Sequence, residues 1–187
     1  VFHENNPNYF PGPNHWQIKT NSKTSCHSQP PVLASIILEM VKVGDEYDLK
    51  KSQSLFNSIM AYHEWFFSAR DPNNEGFLSI VHPWESGRDN CPDWDLGLKQ
   101  VKIPEDFEEY IRCDTSHVEV SQRPTNEDYD KFMSIVQYGK SCNWDPLNMY
   151  NHGPFLAIDP GINFIFLKAN KDLLSLAKLL NYKNKIH

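Results

Sequence analysis

The chain has 187 residues, 40% hydrophobic and 22% charged, which suits one domain with a sizeable core and is too short for two comfortable ones. A formal charge of -6 leaves no basic stripe to neutralise phosphates, so nucleic acid is disfavoured as a partner. No apolar run approaches the ~20 residues that span a bilayer, so no membrane role is expected.

Cys26, Cys91, Cys113 and Cys142 form no Cys-x-x-Cys pair and no zinc-ligand spacing. Reduced thiols in a cytoplasmic protein are therefore expected. No signal peptide is evident at Val1, and the lack of an initiating methionine suggests that natural N-terminal residues are missing.

Residues 1–31 are rich in proline and asparagine, yet they carry Phe2, Tyr9, Phe10 and Trp16. Those aromatics point to an ordered loop packed over a site. Pro30 and Pro31 then open a helix. Its run Val32 to Val41 is apolar nearly all round, which implies burial on most sides, and Gly44 ends it.

A second helix is predicted from about Leu49 to Arg70, with Leu55, Phe56, Ile59, Met60, Trp65 and Phe66 at helical period. Asp71 to Gly76 reads as a turn, and Phe77 to Val81 as a short extended segment. A helical stub is expected after Asp95, while 103–121 is polar with no clear period. Thr125 is a predicted N-cap with Asp128 in the capping-box position, starting a helix that runs to Gly139. A last helix follows Asp159-Pro160 and ends near Leu180. Long apolar helices alternating with long loops indicate an all-α protein whose loops carry the chemistry.

The densest chemistry lies at His82-Pro83-Trp84-Glu85-Ser86-Gly87-Arg88-Asp89-Asn90-Cys91-Pro92-Asp93-Trp94-Asp95. Gly87 and Pro92 break any helix there. Acids flanked by indoles suit a sugar: Trp84 and Trp94 can cover a pyranose face while carboxylates and Asn90 meet its hydroxyls. The plainer alternative is an acidic surface turn whose tryptophans plug the core beneath it.

Glycoside hydrolysis needs two carboxyl groups flanking the scissile bond. Asp89 is the best single acid, with Glu85 and Trp84 as neighbours able to keep it protonated; its plainer role is that of a loop cap. Asp145 and Asp159 precede prolines, as structural Asp-Pro turns do, and no convincing second carboxylate emerges. There is no Gly-x-Ser-x-Gly elbow and no cysteine with a clear histidine partner. His15, His27, His63, His82, His117 and His152 offer no i, i+4 metal-ligand pair, so neither a metal nor a cofactor is expected.

Five ordered blocks resemble one group of glycosidases. They are Tyr9-Phe10-Pro11-Gly12-Pro13; Ser28-Gln29-Pro30-Pro31; Asp71-Pro72-x-Asn74-Glu75-Gly76 with the acidic loop; Arg123-Pro124-Thr125-x-x-Asp128-Tyr129; and Asp159-Pro160-Gly161-x-Asn163. The group is the mannosylglycerate and glucosylglycerate hydrolases and their relatives in glycoside hydrolase family 63, with trehalase a more distant likeness.

The resemblance implies an (α/α)6 barrel of the six-hairpin type, of which residues 1–187 would be a single, incomplete catalytic domain. It implies an inverting α-glycosidase acting on a small carbohydrate substrate. Asp89 would be the general acid, and the general base a glutamate outside this chain. Trp84 and Gly87 would line the sugar subsite, with Gln29 hydrogen-bonding beside it. Arg123 and Tyr129 would contact substrate, Arg123 suiting a glycerate carboxylate. Read without the resemblance, Arg123 is a helix-start ion pair and Tyr129 a core residue.

Cys91 and Asp93 depart from the family's usual serine and arginine, and Arg88 is the candidate to restore the lost positive charge. These departures and the missing base leave a second reading open, a truncated or degenerate relative that only binds carbohydrate. A partial barrel would also expose apolar helix faces and pair with itself.

Overall fold

The structure is a computed structural model describing residues 16–18, 25–44, 46–112, 114–115 and 118–182. The Tyr9–Pro13 block, Phe2, His15, His117 and Cys113 lie outside the described residues. In chain order the elements are α1 (Leu33–Val43), α2 (Glu46–Arg70), β1 (Ser79–Ile80), α3 (Asp95–Leu98), α4 (Asn126–Ser141), α5 (Pro146–His152), β2 (Ala157–Ile158) and α6 (Pro160–Leu179). Short 3-10 turns stand at Pro83–Ser86, Pro92–Trp94 and Val120–Gln122. The two short strands pair as one sheet. Among the described residues no helix is long and apolar enough to cross a membrane.

The chain divides into two compact units, one of Val1–Gln29 with Ile80–Ala157 and the other of Pro30–Ser79 with Ile158–His187. The second is helical. Along α2 the buried positions are Ser52, Phe56, Ile59, His63, Phe66, Ala69 and Arg70, the 3.6-residue stripe expected of one packed face. Phe56 and Ile59 join Ala34, Ile37 and Leu38 of α1 and Ala169, Leu173, Leu176 and Ala177 of α6 in one core cluster. Tyr182 stacks on Phe56 with ring centroids 4.5 Å apart.

The expectation that α1 is buried on most sides does not hold. Leu33, Ile36, Met40 and Val43 are exposed, Val43 by 86%. An eleven-residue helix packed on α2 and α6 covers only the Ala34–Ile37–Leu38 stripe, which leaves its other apolar face bare. Pro30 and Pro31 also lie ahead of the first turn, with Val32 as N-cap.

Two turns set this unit's connections. The Asp71 carboxylate accepts the N–H groups of Glu75 (2.7 Å) and Gly76 (2.9 Å), while Asn74 and Gly76 take positive φ as the predicted turn requires. Asp159 caps α6, accepting the Gly161 N–H at 2.8 Å, with Pro160 in the first turn. The Asn163 amide then bonds both the N–H (2.8 Å) and the C=O (2.9 Å) of Leu78, tying the extended segment to the helix start. Asp159 is thus the structural Asp-Pro residue that was expected.

In the other unit, Thr125 caps α4, accepting the Asp128 N–H at 3.1 Å and donating its hydroxyl to the Asp128 carboxylate at 2.6 Å. The helix runs two residues past Gly139. A Cβ at Gly139 would lie 2.4 Å from the Trp144 ring, so glycine here makes room for an indole. Sequence reading missed α5, which Asp145 caps by accepting the Asn148 N–H at 2.7 Å.

Candidate active site

The acidic loop folds as a chain of short turns. His82 starts the first: its Nδ1 accepts the Trp84 N–H at 3.0 Å, and its Nε2 lies 3.1 Å from the Phe132 carbonyl oxygen. That pattern suits a neutral ring with the proton on Nε2. Burial, reinforced by the charge of His27, pushes His82 well below the ordinary histidine range. Gly87 ends the turn at φ 69, a left-handed conformation that favours glycine.

Glu85, with 0% exposure, is the hub that shapes the loop. One carboxylate oxygen accepts the N–H (2.8 Å) and the hydroxyl (2.9 Å) of Ser28, and the other accepts the Val81 N–H at 2.9 Å. A carboxylate so placed satisfies three donors in a dry environment. Both its oxygens are engaged by Ser28 and Val81, so Glu85 anchors the start of the acidic loop to the segment before Gln29.

Asp89 lines a cleft of about 140 Å³ with Asn90, Cys91, Asp95, Asp128 and Phe132 among its walls. Its side chain is 29% exposed, and its Oδ2 stands 3.7 Å from Nη2 of Arg123. Arg123 also donates from Nε to Oδ2 of Asp114 at 2.9 Å. Arg112 grips the same Asp114 with two bonds, Nε to Oδ1 at 2.7 Å and Nη2 to Oδ2 at 3.0 Å. Burial pushes the Asp114 carboxyl up, but the hydrogen bonds and charges of Arg112 and Arg123 outweigh that and hold it below the usual carboxylate range. Arg112 also bonds the Pro124 carbonyl at 2.6 Å and Oδ1 of Asn126 at 2.9 Å, and lies 4.6 Å over the Tyr129 ring.

Tyr129 is buried and edge-on to Trp84, with centroids 6.0 Å apart. Trp84 is half-buried within a group of rings that includes Trp16 and His27. Exposed Gln29 donates its amide to the Trp84 carbonyl at 3.3 Å. The structure thus places Asp89 with Arg123, and Gln29 with Trp84 and Tyr129. Arg112 and Asp114 link Arg123 to the Tyr129 ring.

Trp94 does not face a ligand. It is 3% exposed, and its ring N–H donates to the Arg88 carbonyl at 2.9 Å, so it plugs the loop from beneath. Arg88, next to Asp89 in the chain, carries its guanidinium on the exposed side of the loop. Its guanidinium pairs with Asp93 at 3.2 Å and lies 5.4 Å over the Trp94 ring. Asn90 is exposed and donates to the Gln122 carbonyl at 2.8 Å.

Burial pushes the Cys26 thiol up to about 12, which favours its protonated form near neutrality. Among the described residues no group of three or more His, Cys, Asp or Glu converges on a metal site. Sequence reading missed Arg112 and Asp114. They sit in a polar stretch without periodicity, and nothing local distinguishes a pair of charges there from a solvated surface.

These features define a class: a mainly helical protein whose inter-helix loops gather an acid, guanidinium groups and aromatic rings. The chain belongs to the family described as the mannosylglycerate hydrolase MGH1-like glycoside hydrolase domain, whose model matches residues 1–187. It is 41% identical over 184 residues to the mannosylglycerate hydrolase of Thermus thermophilus, covering 96% of this chain and 44% of that protein. It is 32% identical over 160 residues to the glucosylglycerate hydrolase of Mycolicibacterium hassiacum, covering 78% of this chain and 36% of that one.

A crystal structure of the family 63 mannosylglycerate hydrolase from Thermus thermophilus, in complex with Tris and D-glycerate, aligns with TM-score 0.89 and 40% identity. The alignment covers 97% of this chain and 43% of that one. The same enzyme in complex with glucose aligns with TM-score 0.81 and 39% identity, covering 97% and 44%. The chain spans less than half the length of these relatives.

Proposed function

We propose that residues 1–187 carry the general-acid side of an inverting α-glycoside hydrolase acting on glucosylglycerate or mannosylglycerate. The carrying observation is the placement of Asp89 on a cleft wall, 3.7 Å from the Arg123 guanidinium. A donor for the leaving oxygen thus stands beside a group that matches a carboxylate. In this reading the chain is part of a single catalytic domain built as an (α/α)6 barrel. The relatives named mannosylglycerate and glucosylglycerate hydrolase support it.

Asp89 would hand its proton to the glycosidic oxygen while water attacks the opposite face of the sugar, activated by a carboxylate outside residues 1–187. Arg123 would hold the glycerate carboxylate. Gln29, Trp84, Gly87 and Tyr129 would shape the surface for the sugar. Free thiols at Cys26, Cys91 and Cys142 support a cytoplasmic setting, and the bare apolar face of α1 supports self-association of the isolated chain.

The test is release of glucose or mannose from the two glycerate glycosides by the full-length protein and its Asp89→Asn variant. Loss of a general acid is expected to lower kcat by about 10²–10⁴-fold, with the thermal midpoint preserved. Undiminished turnover overturns the assignment. Retained sugar binding with no turnover in the unaltered protein favours the non-catalytic carbohydrate-binding reading, for which Cys91 and Asp93 speak as departures from the family's pattern.

A further inference from the structure

We propose that Asp114, clamped by Arg112, is a positioning residue that aims Arg123 at a ligand carboxylate and keeps it from closing on Asp89. The inference rests on the reading of Arg123 given above.

Arg123 leaves the short turn Val120–Gln122 on extended backbone, so no helix fixes the direction of its long side chain. Two carboxylates compete for its guanidinium. Asp114 holds the Nε edge at 2.9 Å, whereas Asp89 stands 3.7 Å from Nη2, outside the roughly 2.7–3.2 Å of an N–H···O bond.

Asp114 is held in place because its own direction is set first. Arg112 binds both of its oxygens, and Arg112 is in turn fixed by the Pro124 carbonyl, Asn126 and the Tyr129 ring. The two-pronged grip and the contact over the ring, 4.6 Å from its centroid, are the kinds of contact that restrain a guanidinium fork. With Nε committed to Asp114, the Nη end is turned towards Asp89, at the cleft wall that also carries Asp95, Asp128 and Cys91.

An arriving carboxylate would therefore meet an oriented cation. Without the Asp114 charge, the Nε edge of Arg123 would lose its ionic partner. Arg123 would then be free to swing onto Asp89, taking both the carboxylate receptor and the acid out of service.

The experiment compares binding of D-glycerate and of glucose to the full-length protein by calorimetry. For Asp114→Asn the D-glycerate affinity is expected to fall by about 10- to 100-fold, the range for losing a charge-assisted bidentate contact, with glucose affinity unchanged. Arg123→Ala should show the same selective loss, and the double variant should bind D-glycerate no more weakly than Arg123→Ala alone. Arg112→Lys keeps the charge but loses the two-pronged grip, so it should show a smaller shift in the same direction, and it serves if Asp114→Asn does not fold.

Equal loss of both ligands in Asp114→Asn would mark a merely structural role and overturn the inference. So would a selective effect in Arg123→Ala that neither Asp114→Asn nor Arg112→Lys reproduces. If Arg123→Ala itself leaves D-glycerate binding intact, it is the reading of Arg123 as the carboxylate receptor that fails.

Discussion

Both units of this chain carry polar side chains that bond distant backbone, Asn163 to Leu78 among them, but only in the unit with the candidate site do such bonds shape the acidic loop. In the unit of Pro30–Ser79 with Ile158–His187, helices meet through aliphatic and aromatic side chains such as Phe56, Ile59, Leu173 and Leu176. In the unit of Val1–Gln29 with Ile80–Ala157, single polar side chains reach backbone far along the chain. Glu85 reaches Ser28, 57 positions away; His82 reaches Phe132, 50 away; Asn90 reaches Gln122, 32 away. Apolar contacts are numerous and non-directional, so a helix can shift slightly and keep most of them. A buried carboxylate serving three donors has one workable position. The acidic loop is therefore fixed by directional bonds, beside an apolar core that includes Phe132, Ile135 and Val136.

The largest effect expected from this contrast is in the helical unit. Phe56→Ala removes a ring that is 1% exposed and stacked on Tyr182. It should lower stability by about 3–5 kcal/mol, combining lost transfer free energy with the cavity left behind. Denaturant unfolding of the full-length protein measures it. A fall below about 1 kcal/mol would mean that the site collapses or that the helices are held by something other than this core.

Glu85→Gln sharpens the contrast because it changes almost no volume. The amide keeps one acceptor, but turns an NH₂ towards either the Ser28 donors or the Val81 N–H. About 2–3 kcal/mol is expected for replacing a charge-assisted bond with a donor facing a donor. Sugar binding should weaken as well, because the same carboxylate anchors the segment that carries Gln29. A destabilisation under about 0.5 kcal/mol with unchanged ligand affinity would show that the loop does not hang on this hub.

The same contrast explains what could be read in advance. Helices α2, α4 and α6 announce themselves because their cause is local: apolar residues at helical period, Thr125 and Asp159 as caps, Gly76 in a turn. The α5 helix was hidden because it is short and its strongest signal, Asp145-Pro146, is shared with a simple turn. The bare face of α1 was misread because composition shows that a helix is apolar, not how many neighbours it has. In the site, Asp89 could be singled out by its setting between Gly87 and the indoles, and its pairing with Arg123 fits the ordered blocks. Glu85 as a structural hub and the Arg112–Asp114 clamp depend on which distant segments meet, and no periodicity encodes that.

His82 allows a test of the polar unit by pH. Its ring is fully buried, Nδ1 accepts the Trp84 N–H, and a proton there would break that bond. Burial and then the charge of His27 lower its proton affinity in the fold, against the weaker opposing pull of Phe132 and Glu85. The unfolded chain then binds a proton below about pH 6.5 that the folded chain refuses, so stability rises with pH across that window. The stabilisation is complete above about 6.5 and is lost as pH falls, at a slope approaching about 1.4 kcal/mol per pH unit for one such histidine. His63 in the helical unit is also lowered by burial, with Asn170 opposing, and adds to the same trend. Denaturant midpoints between pH 7.5 and 5 for the unaltered protein, His82→Gln and His63→Gln separate the two. His82→Gln should remove the larger part of the slope, since its ring is the more strongly depressed. A slope unchanged in His82→Gln, or a protein that gains stability on acidification, would mean that the histidine at the start of the acidic loop takes up its proton without disturbing the fold.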